Sequence, residues 1–244
     1  MTNFVPSQTQ SSIQTALGNF LQAILPPGTS IVQGQLNRVA EPTTANFVVM
    51  TYMRQDRLGT NYDTYPDCSF IAAAIGTALT VSSVLIGSLN TPTSLLGTNV
   101  AAGTQIVSQT SGTPGGIGVY ALSAAQTLAS GKFASGQVGL MQSLDVVFQL
   151  DVHGPNADSN ATVISTFFRD QTAQNYWPNF SPGNLSPMYT SDPTQAPFIN
   201  DQNQVEYRWV MDAHIGANIM ITAPQEYADQ LKAAINNPVD TFPT

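Results

Sequence analysis

The stretch from Cys68 to Gln142 carries a single charged side chain, Lys132, and is otherwise built mainly from small, hydroxylated and aliphatic residues. Glycines punctuate it throughout. Short strands separated by glycine turns are typical of small barrels and sandwiches. The predicted strands are Leu79–Val81, Thr104–Val107, Val119–Leu122 and Thr127–Leu128. We therefore predict an inserted all-β module, barrel-like or sandwich-like, over residues 68–137.

The flanking residues, 1–67 and 138–244, are predicted to form one body. Apolar residues at helical spacing predict a helix over 11–25, with Ser11 and Gln14 as a capping box. Strands are predicted at 31–39, 46–54, 144–152, 205–215 and 219–222, from β-branched or alternating runs. Two further helices are predicted, one from Asp158 or Ser159 to about Asp170 and one that starts at Pro224 and includes Tyr227, Leu231 and Ile235.

This order of elements predicts an α+β fold, in which an antiparallel-rich sheet with flanking helices carries the inserted β module. Residues 172–203 interrupt the pattern. Their five prolines are expected to rule out regular structure, and a loop of this length is usually functional or an interaction arm. The arm could cross to a neighbouring subunit or cover its own core. Its candidate interaction residues are Trp177, Phe180, Tyr189 and Phe198.

Charge limits the classes of function. Charged residues make up 9% of the chain, against roughly 25% in an average soluble domain. The formal net charge is −8, which argues against binding to nucleic acid, since that requires cations to displace phosphate counterions. A surface with so little charge favours permanent association with other subunits. Cys68 is the only cysteine, so an intrachain disulfide and a cysteine-based zinc site are excluded.

Residues Phe70–Ile86 are long enough for a marginal membrane span. The segment contains Gly76 and several hydroxylated residues, and no basic residues flank it. Two short strands with a turn near Gly76 are the preferred interpretation. No membrane association is therefore predicted. Residues Met1–Gln10 lack the basic and apolar regions of a signal peptide, so none is predicted there.

No catalytic, cofactor or metal site is predicted. Asp151 and His153 share one face of a strand and could bind a metal together with Asp158 or His214. The preferred alternative is that they hydrogen-bond the backbone of the turn at Gly154-Pro155-Asn156. Gly115-Gly116-Ile117-Gly118 is not followed by the Gly-Lys-Ser/Thr of a phosphate loop, and no Gly-x-Ser-x-Gly elbow is present.

Arginines are scarce in this acidic chain, which makes Arg54 and Arg57 candidate interaction residues alongside Asp151 and His153. They could pair with carboxylates of another subunit, as could Arg169 and Arg208. Pairing within the chain, with Asp56, Asp170 or Glu206, is equally consistent with the sequence.

Three segments of the body resemble the neck or tail terminator proteins of tailed bacteriophages. These are LDVVFQLDVHGPNAD at 144–158, MRQDRLGTNYDTY at 53–65 and EYRWVMDAHIGANIMI at 206–221. The resemblance covers residues 10–66 and 138–238. The insert is similar to a Gly/Thr-rich β module that recurs in phage virion proteins, through residues 79–81, 100–106, 115–120 and 123–127, although that module is not universal in the terminator family.

The resemblance implies a non-enzymatic structural protein that forms a ring, usually hexameric, at the head-proximal end of the tail. Such a ring caps the tube and joins it to the head connector, while DNA passes through the lumen without specific binding. The implied partners are further copies, tail tube and sheath proteins and the head–tail connector. The implied location is the virion, with assembly in the host cytoplasm. Another connector, collar or baseplate subunit is an alternative, as is a hydrolase or glycan-binding module centred on Asp151, His153 and the aromatic arm.

Overall fold

The computed structural model describes residues 4–35, 42–179, 184–196, 198–199 and 205–225. The chain divides into two compact units, one of Met1–Thr64 with Gly139–Thr222 and one of Tyr65–Val138 with Ala223–Thr244. The described α-helices are α1 (Gln10–Ile24), α2 (Ala157–Phe168) and α3 (Gln171–Tyr176). The described strands are β1 (Ser30–Gln33), β2 (Phe47–Arg57), β3 (Tyr62–Thr64), β4 (Asp67–Ile86), β5 (Thr93–Leu96), β6 (Gln105–Gly112), β7 (Gly118–His153), β8 (Leu185–Thr190), β9 (Thr194–Gln195), β10 (Phe198–Ile199), β11 (Val205–Glu206) and β12 (Arg208–Pro224).

The sheet of the first unit has the strand order β1-β2-β7-β12-β8. β1 runs parallel to β2, whereas β2 is antiparallel to β7 and β8 is antiparallel to β12. The sheet is therefore mixed but mostly antiparallel. With 56% of the described residues in strands and 17% in helices, the sheet organises this fold and the helices flank it, in agreement with the coarse α+β prediction.

Helix α1 buries the apolar stripe that the sequence predicts, with Leu17, Phe20 and Leu21 fully inside. Its cap differs from the prediction, because Thr9 and Ser12 form the capping box in place of Ser11 and Gln14. Ser11 already lies within the helix, where its carbonyl accepts a hydrogen bond from Thr15.

Alternation along β7 divides the sheet of the first unit into two faces. The even-numbered residues from Leu144 to Val152 are buried in one apolar core with α1, α2 and α3. The odd-numbered residues from Asp145 to His153 point to the opposite face, which we call the polar face. Local sequence thus sets which side chains meet the helices.

Strand β4 reverses direction within its length. Ser82 Oγ donates a hydrogen bond to the Ile71 carbonyl across 3.2 Å, although eleven residues of straight strand would span about 36 Å. Gly76, with φ of +63°, lies midway between them. The predicted turn near Gly76 is present, and the segments on either side of it are longer than the strands predicted.

The strand neighbours of the second unit form a circuit. The first half of β4 pairs with residues 126–136 of β7 and its second half with residues 118–121. β6 pairs with residues 118–122 of β7, and β5 pairs with β6 and with residues 134–136 of β7. Inward side chains build a separate apolar core, whose fully buried members include Phe70, Leu79, Ile106 and Tyr120.

Several predicted boundaries were wrong. The segment 172–203 contains α3, a 3-10 turn at Trp177–Asn179, β8 and β9, so its prolines do not exclude regular structure. Pro187 is tolerated because β8 is the last strand in the order, where a missing N–H disrupts no ladder on its outer side.

Helix α2 begins at Ala157, one residue before the predicted cap at Asp158. Pro224 ends β12, and the helix predicted beyond it lies outside the described residues.

Residues 70–86, the segment considered as a membrane span, lie in strand β4. Within the described ranges, no helix is both long enough and apolar enough to cross a bilayer.

Candidate functional site

The polar face gathers most of the acidic, basic and histidine side chains described in the first unit, on three neighbouring strands and on the short strand that precedes one of them. β7 contributes Asp145, Asp151 and His153. β2 contributes Arg54 and Asp56, whose side chains are turned to the polar face by a bulge between Tyr52 and Arg54. Arg208, Asp212 and His214 come from β12, and Glu206 comes from β11 just before it. Among the described residues, this face therefore carries five carboxylates, two guanidinium groups and two imidazoles.

Asp151 and Arg208 form the central ion pair. Arg208 Nε and Nη2 both donate to Asp151 Oδ1, at 3.0 and 2.5 Å, and the Gln149 amide donates to the same carboxylate. The Asp151 side chain is 11% exposed and that of Arg208 30%. Removal of either partner would leave a partly desolvated charge, so the pair fixes β12 against β7. Arg208 therefore pairs within the chain, with Asp151 and not with the neighbouring Glu206.

Each histidine is held between an aromatic ring and a carboxylate. His153 stacks on Phe47, with ring centroids 4.5 Å apart, and its Nδ1 lies 2.8 Å from Glu206 Oε1. His214 stacks on Tyr189, with centroids 4.2 Å apart, and its Nδ1 lies 2.7 Å from Asp145 Oδ2. In both cases the stacked ring belongs to the direct register partner on the adjacent strand.

The preferred prediction was that Asp151 and His153 hydrogen-bond the backbone of the Gly154 turn. In the structure Asp151 contacts Arg208 and Gln149, and His153 contacts Glu206. At the turn itself, Gly154 N–H donates to the Tyr207 carbonyl and Asn156 N–H donates to Asn46 Oδ1. Gly154 has φ of +105°, and a Cβ there would collide with the Ala45 carbonyl oxygen. Glycine is therefore required at this turn.

The structure brings no metal-ligand set together in the part of the chain that it describes, since no three His, Cys, Asp or Glu side chains are close enough to hold an ion. His153 and His214 contact different carboxylates, Glu206 and Asp145. The paired side chains of the polar face can hold neighbouring strands in register and present charge.

Arg54 lies over the acidic end of the polar face. Its Nε is 2.7 Å from Asp56, and Asp56 lies directly opposite Asp145 in the strand register. Like charges in that position repel each other, and Arg54 offsets the repulsion. The hydrogen bond and charge of Asp56, followed by the charges of Asp212 and Asp145, raise the pKa of Arg54. This pair is more than half exposed, so its contribution to stability is small.

The aromatic candidates differ in exposure. Trp177 is 1% exposed and packs against Phe20 and Phe168, so it belongs to the core of its own chain. Tyr189 is 42% exposed above its stack on His214. Phe180 lies outside the described residues. The backbone of Phe198 pairs with Glu206, and its side chain is not among those described.

A cleft of about 400 Å³ lies beside the Gly154 turn, at the end of the sheet where β7 meets α2. Tyr207 and Trp209 form one wall, and Pro155, Asp158 and Gln195 lie around the rest. Tyr207 is 57% exposed. Sequence reasoning missed this cleft and the Asp151–Arg208 pair. The alternation of charged residues in 206–214 was the available signal, but it does not specify the register.

A family model described as phage neck terminator protein matches residues 85–240. No curated protein matches the chain. The match includes residues 138–238, where the resemblance was expected, and residues 85–137, most of the predicted insert; it leaves out residues 10–66. The β7, β8 and β12 parts of the polar face and the whole of the cleft therefore lie in the matched range.

Proposed function

The chain belongs to the phage neck terminator protein family. We propose that its copies assemble into a hexameric ring at the head-proximal end of a phage tail. The family makes it a structural component of the virion neck. In the proposed ring, one surface docks the last ring of the tail tube, together with the sheath where one is present. The opposite surface docks the head connector.

The observation that carries the proposal is the acidic balance of the polar face. Its five carboxylates outnumber its two arginines; Asp56 is more than half exposed, whereas Asp151, His153 and His214 are buried. We propose that the polar face lines the lumen. A wall of this sign repels the phosphate backbone and offers no cationic patch to hold it, so DNA passes without binding.

Symmetry supplies the strength of the joint. Each subunit repeats the same contact with tube and connector, so contacts that are weak singly become stable when a closed ring engages them together. This function needs neither catalysis nor a cofactor, and assembly would take place in the host cytoplasm.

We propose further that residues 68–137 form a separate module on the body formed by 1–67 and 138–244. Thr64 pairs directly with Gly139 at the end of the β3–β7 ladder, and Thr64 Oγ1 donates to the Gly139 carbonyl. The two chain ends left by removing 65–138 are therefore adjacent. An Asn-Gly turn can connect them as a hairpin. A variant with this replacement should fold and assemble like the full chain; failure to fold would contradict a separate module.

The ring is tested by the mass of the purified chain in solution, with negative-stain images of the same sample. The expected result is a closed ring with a central hole that stops growth of purified tail tubes when added to them. Antibody labelling of virions should mark the junction of head and tail. Label at the baseplate would point to the alternative structural role. A chain that stays monomeric and binds neither tube nor connector would refute the proposal.

DNA passage has its own test. Arg substitutions at Asp56 and Asp212 reverse charge on the polar face and should make assembled rings retain linear duplex DNA in a gel-shift assay. Asp63→Arg is the matched control, because Asp63 pairs with Leu140, an even-numbered residue of β7 whose side chain points to the helix side. Equal retention by both variants would argue against a luminal polar face.

A further inference from the structure

Arg57 differs from the other exposed arginines in its partners. Arg54 pairs with Asp56, and Arg169 pairs with Asp192 and with the Thr190 carbonyl. Arg57 is exposed at the end of β2, where the side-chain oxygen of Gln142, in the amide orientation that satisfies both groups, accepts from its guanidinium. No carboxylate among the described residues lies within 4 Å of it. It thus presents a charge with only a neutral partner.

The cleft beside the Gly154 turn has the complementary chemistry. Tyr207 and Trp209 offer aromatic faces, Asp158 supplies a carboxylate, and no cationic side chain among the described residues lines it. Aromatic faces with a nearby carboxylate recognise guanidinium groups through cation–π contact and charge-assisted hydrogen bonds. The amino end of α2 disfavours a cation, but Asp158 in its first turn offsets that field.

The cation and the cleft lie at opposite ends of the same sheet. β2 begins at Phe47, which pairs with His153 just before the cleft, and it ends at Arg57, which pairs with Leu144. Ten residues of strand separate these ends by about 33 Å, so one copy cannot bring them together. Leu144 belongs to the core on the helix side, as does Met211 two residues after Trp209. Arg57 and Trp209, one of the two aromatic residues of the cleft wall, therefore point to the same side of the sheet.

We propose that Arg57 of one copy enters the Tyr207–Asp158 cleft of a second copy. The inference deepens the proposed ring and rests on it. Donor and acceptor are different surfaces of the same chain, so the contact is heterologous, and a heterologous contact closes into a ring when its rotation permits. Buried Arg, Tyr and Trp side chains are also the residues that dominate the binding energy of protein interfaces.

Charge exchange tests the contact. Arg57→Glu and Asp158→Arg should each weaken ring assembly at least about tenfold in subunit concentration, measured by light scattering and negative stain. The double variant, in which the charges are exchanged, should recover most of the loss. Lys132→Glu changes net charge by the same amount as Arg57→Glu, in the second unit, and should assemble like the unmodified chain. Circular dichroism confirms that each variant is folded.

A disulfide crosslink between two copies tests the same contact if a charge variant misfolds. A chain carrying Arg57→Cys, mixed with a differently tagged chain carrying Asp158→Cys, should give an interchain disulfide between the two tags under mild oxidation, while buried Cys68 does not react. Rings that assemble normally with Arg57→Glu and give no such crosslink would overturn the contact and leave the ring standing. A chain that never assembles would overturn both. Loss of connector docking by Asp158→Arg in otherwise intact rings would assign the cleft to a basic side chain of another protein and so overturn the second-copy contact.

Discussion

Arg208 and Asp151 form a two-donor ion pair in which Nε and Nη2 of the arginine share one carboxylate oxygen, at 3.0 and 2.5 Å. The pair joins the strands that carry most of the polar face. It stands between the two histidine–carboxylate contacts, so a single cross-strand register aligns all three pairs. A shift of that register by one residue would separate them and move the charges toward the apolar core.

Asp151→Ala should therefore destabilise the fold. The substitution leaves Arg208 and the Gln149 amide without their acceptor, and the expected loss is about 1–3 kcal/mol in the free energy of unfolding. Partial exposure of Arg208 keeps the loss below that of a fully buried pair. Urea unfolding measures it. Asp56→Ala, at the exposed Arg54 pair, is the control and should leave the unfolding midpoint unchanged. Equal losses in the two variants would show that the Asp151 pair contributes no more to stability than the exposed pair.

Gly154→Ala should cost more than an ordinary glycine substitution. Alanine at φ of +105° is strained, and its methyl group would also strike the Ala45 carbonyl, so the expected loss is about 2–4 kcal/mol. Gly28→Ala is the matched control, with φ of +90° and open space around the position. It should lose only about 1 kcal/mol. Similar melting temperatures for the two variants would contradict the steric part of the argument.

Trp177 should behave as a core residue. Trp177→Ala would empty space against Phe20 and Phe168, for an expected loss of about 3–5 kcal/mol. Trp177→Phe should cost far less, because the buried indole N–H has no hydrogen-bond partner among the described residues. Chemical denaturation of both variants measures this difference. A Trp177→Ala variant that is stable but fails to assemble would show that Trp177 acts at a subunit interface.

Cys68 should be inert in the folded protein. Burial raises the pKa of its thiol above the ordinary 9.0, partly opposed by a hydrogen bond with Ser135. A thiol-specific reagent at pH 8 should react slowly until urea unfolds the second unit. Since the folded pKa is the higher one, the stability that this thiol contributes is complete below pH 9.0 and declines as pH rises through the folded value. Cys68→Ala should remove that part of the alkaline decline; rapid labelling of the native chain would contradict the assignment.

Much of the local structure was predictable from the sequence. The apolar stripe of α1, the alternation along 144–152 and the reversal near Gly76 all have local causes, because side-chain periodicity and glycine conformations act within a few residues. The family resemblance at 144–158 and 206–221 was visible in the same way and is confirmed by the family match.

By itself, the sequence determined which residues alternate, where a charge-poor β segment lies and to which family the chain belongs. Only the tertiary structure decided that Arg208 meets Asp151, that each histidine lies between a ring and a carboxylate, and that Trp177 is core. Those contacts join residues far apart in the chain. Local propensity says which face a side chain occupies, but the register between distant strands is set by the burial of the whole core, to which every strand contributes at once.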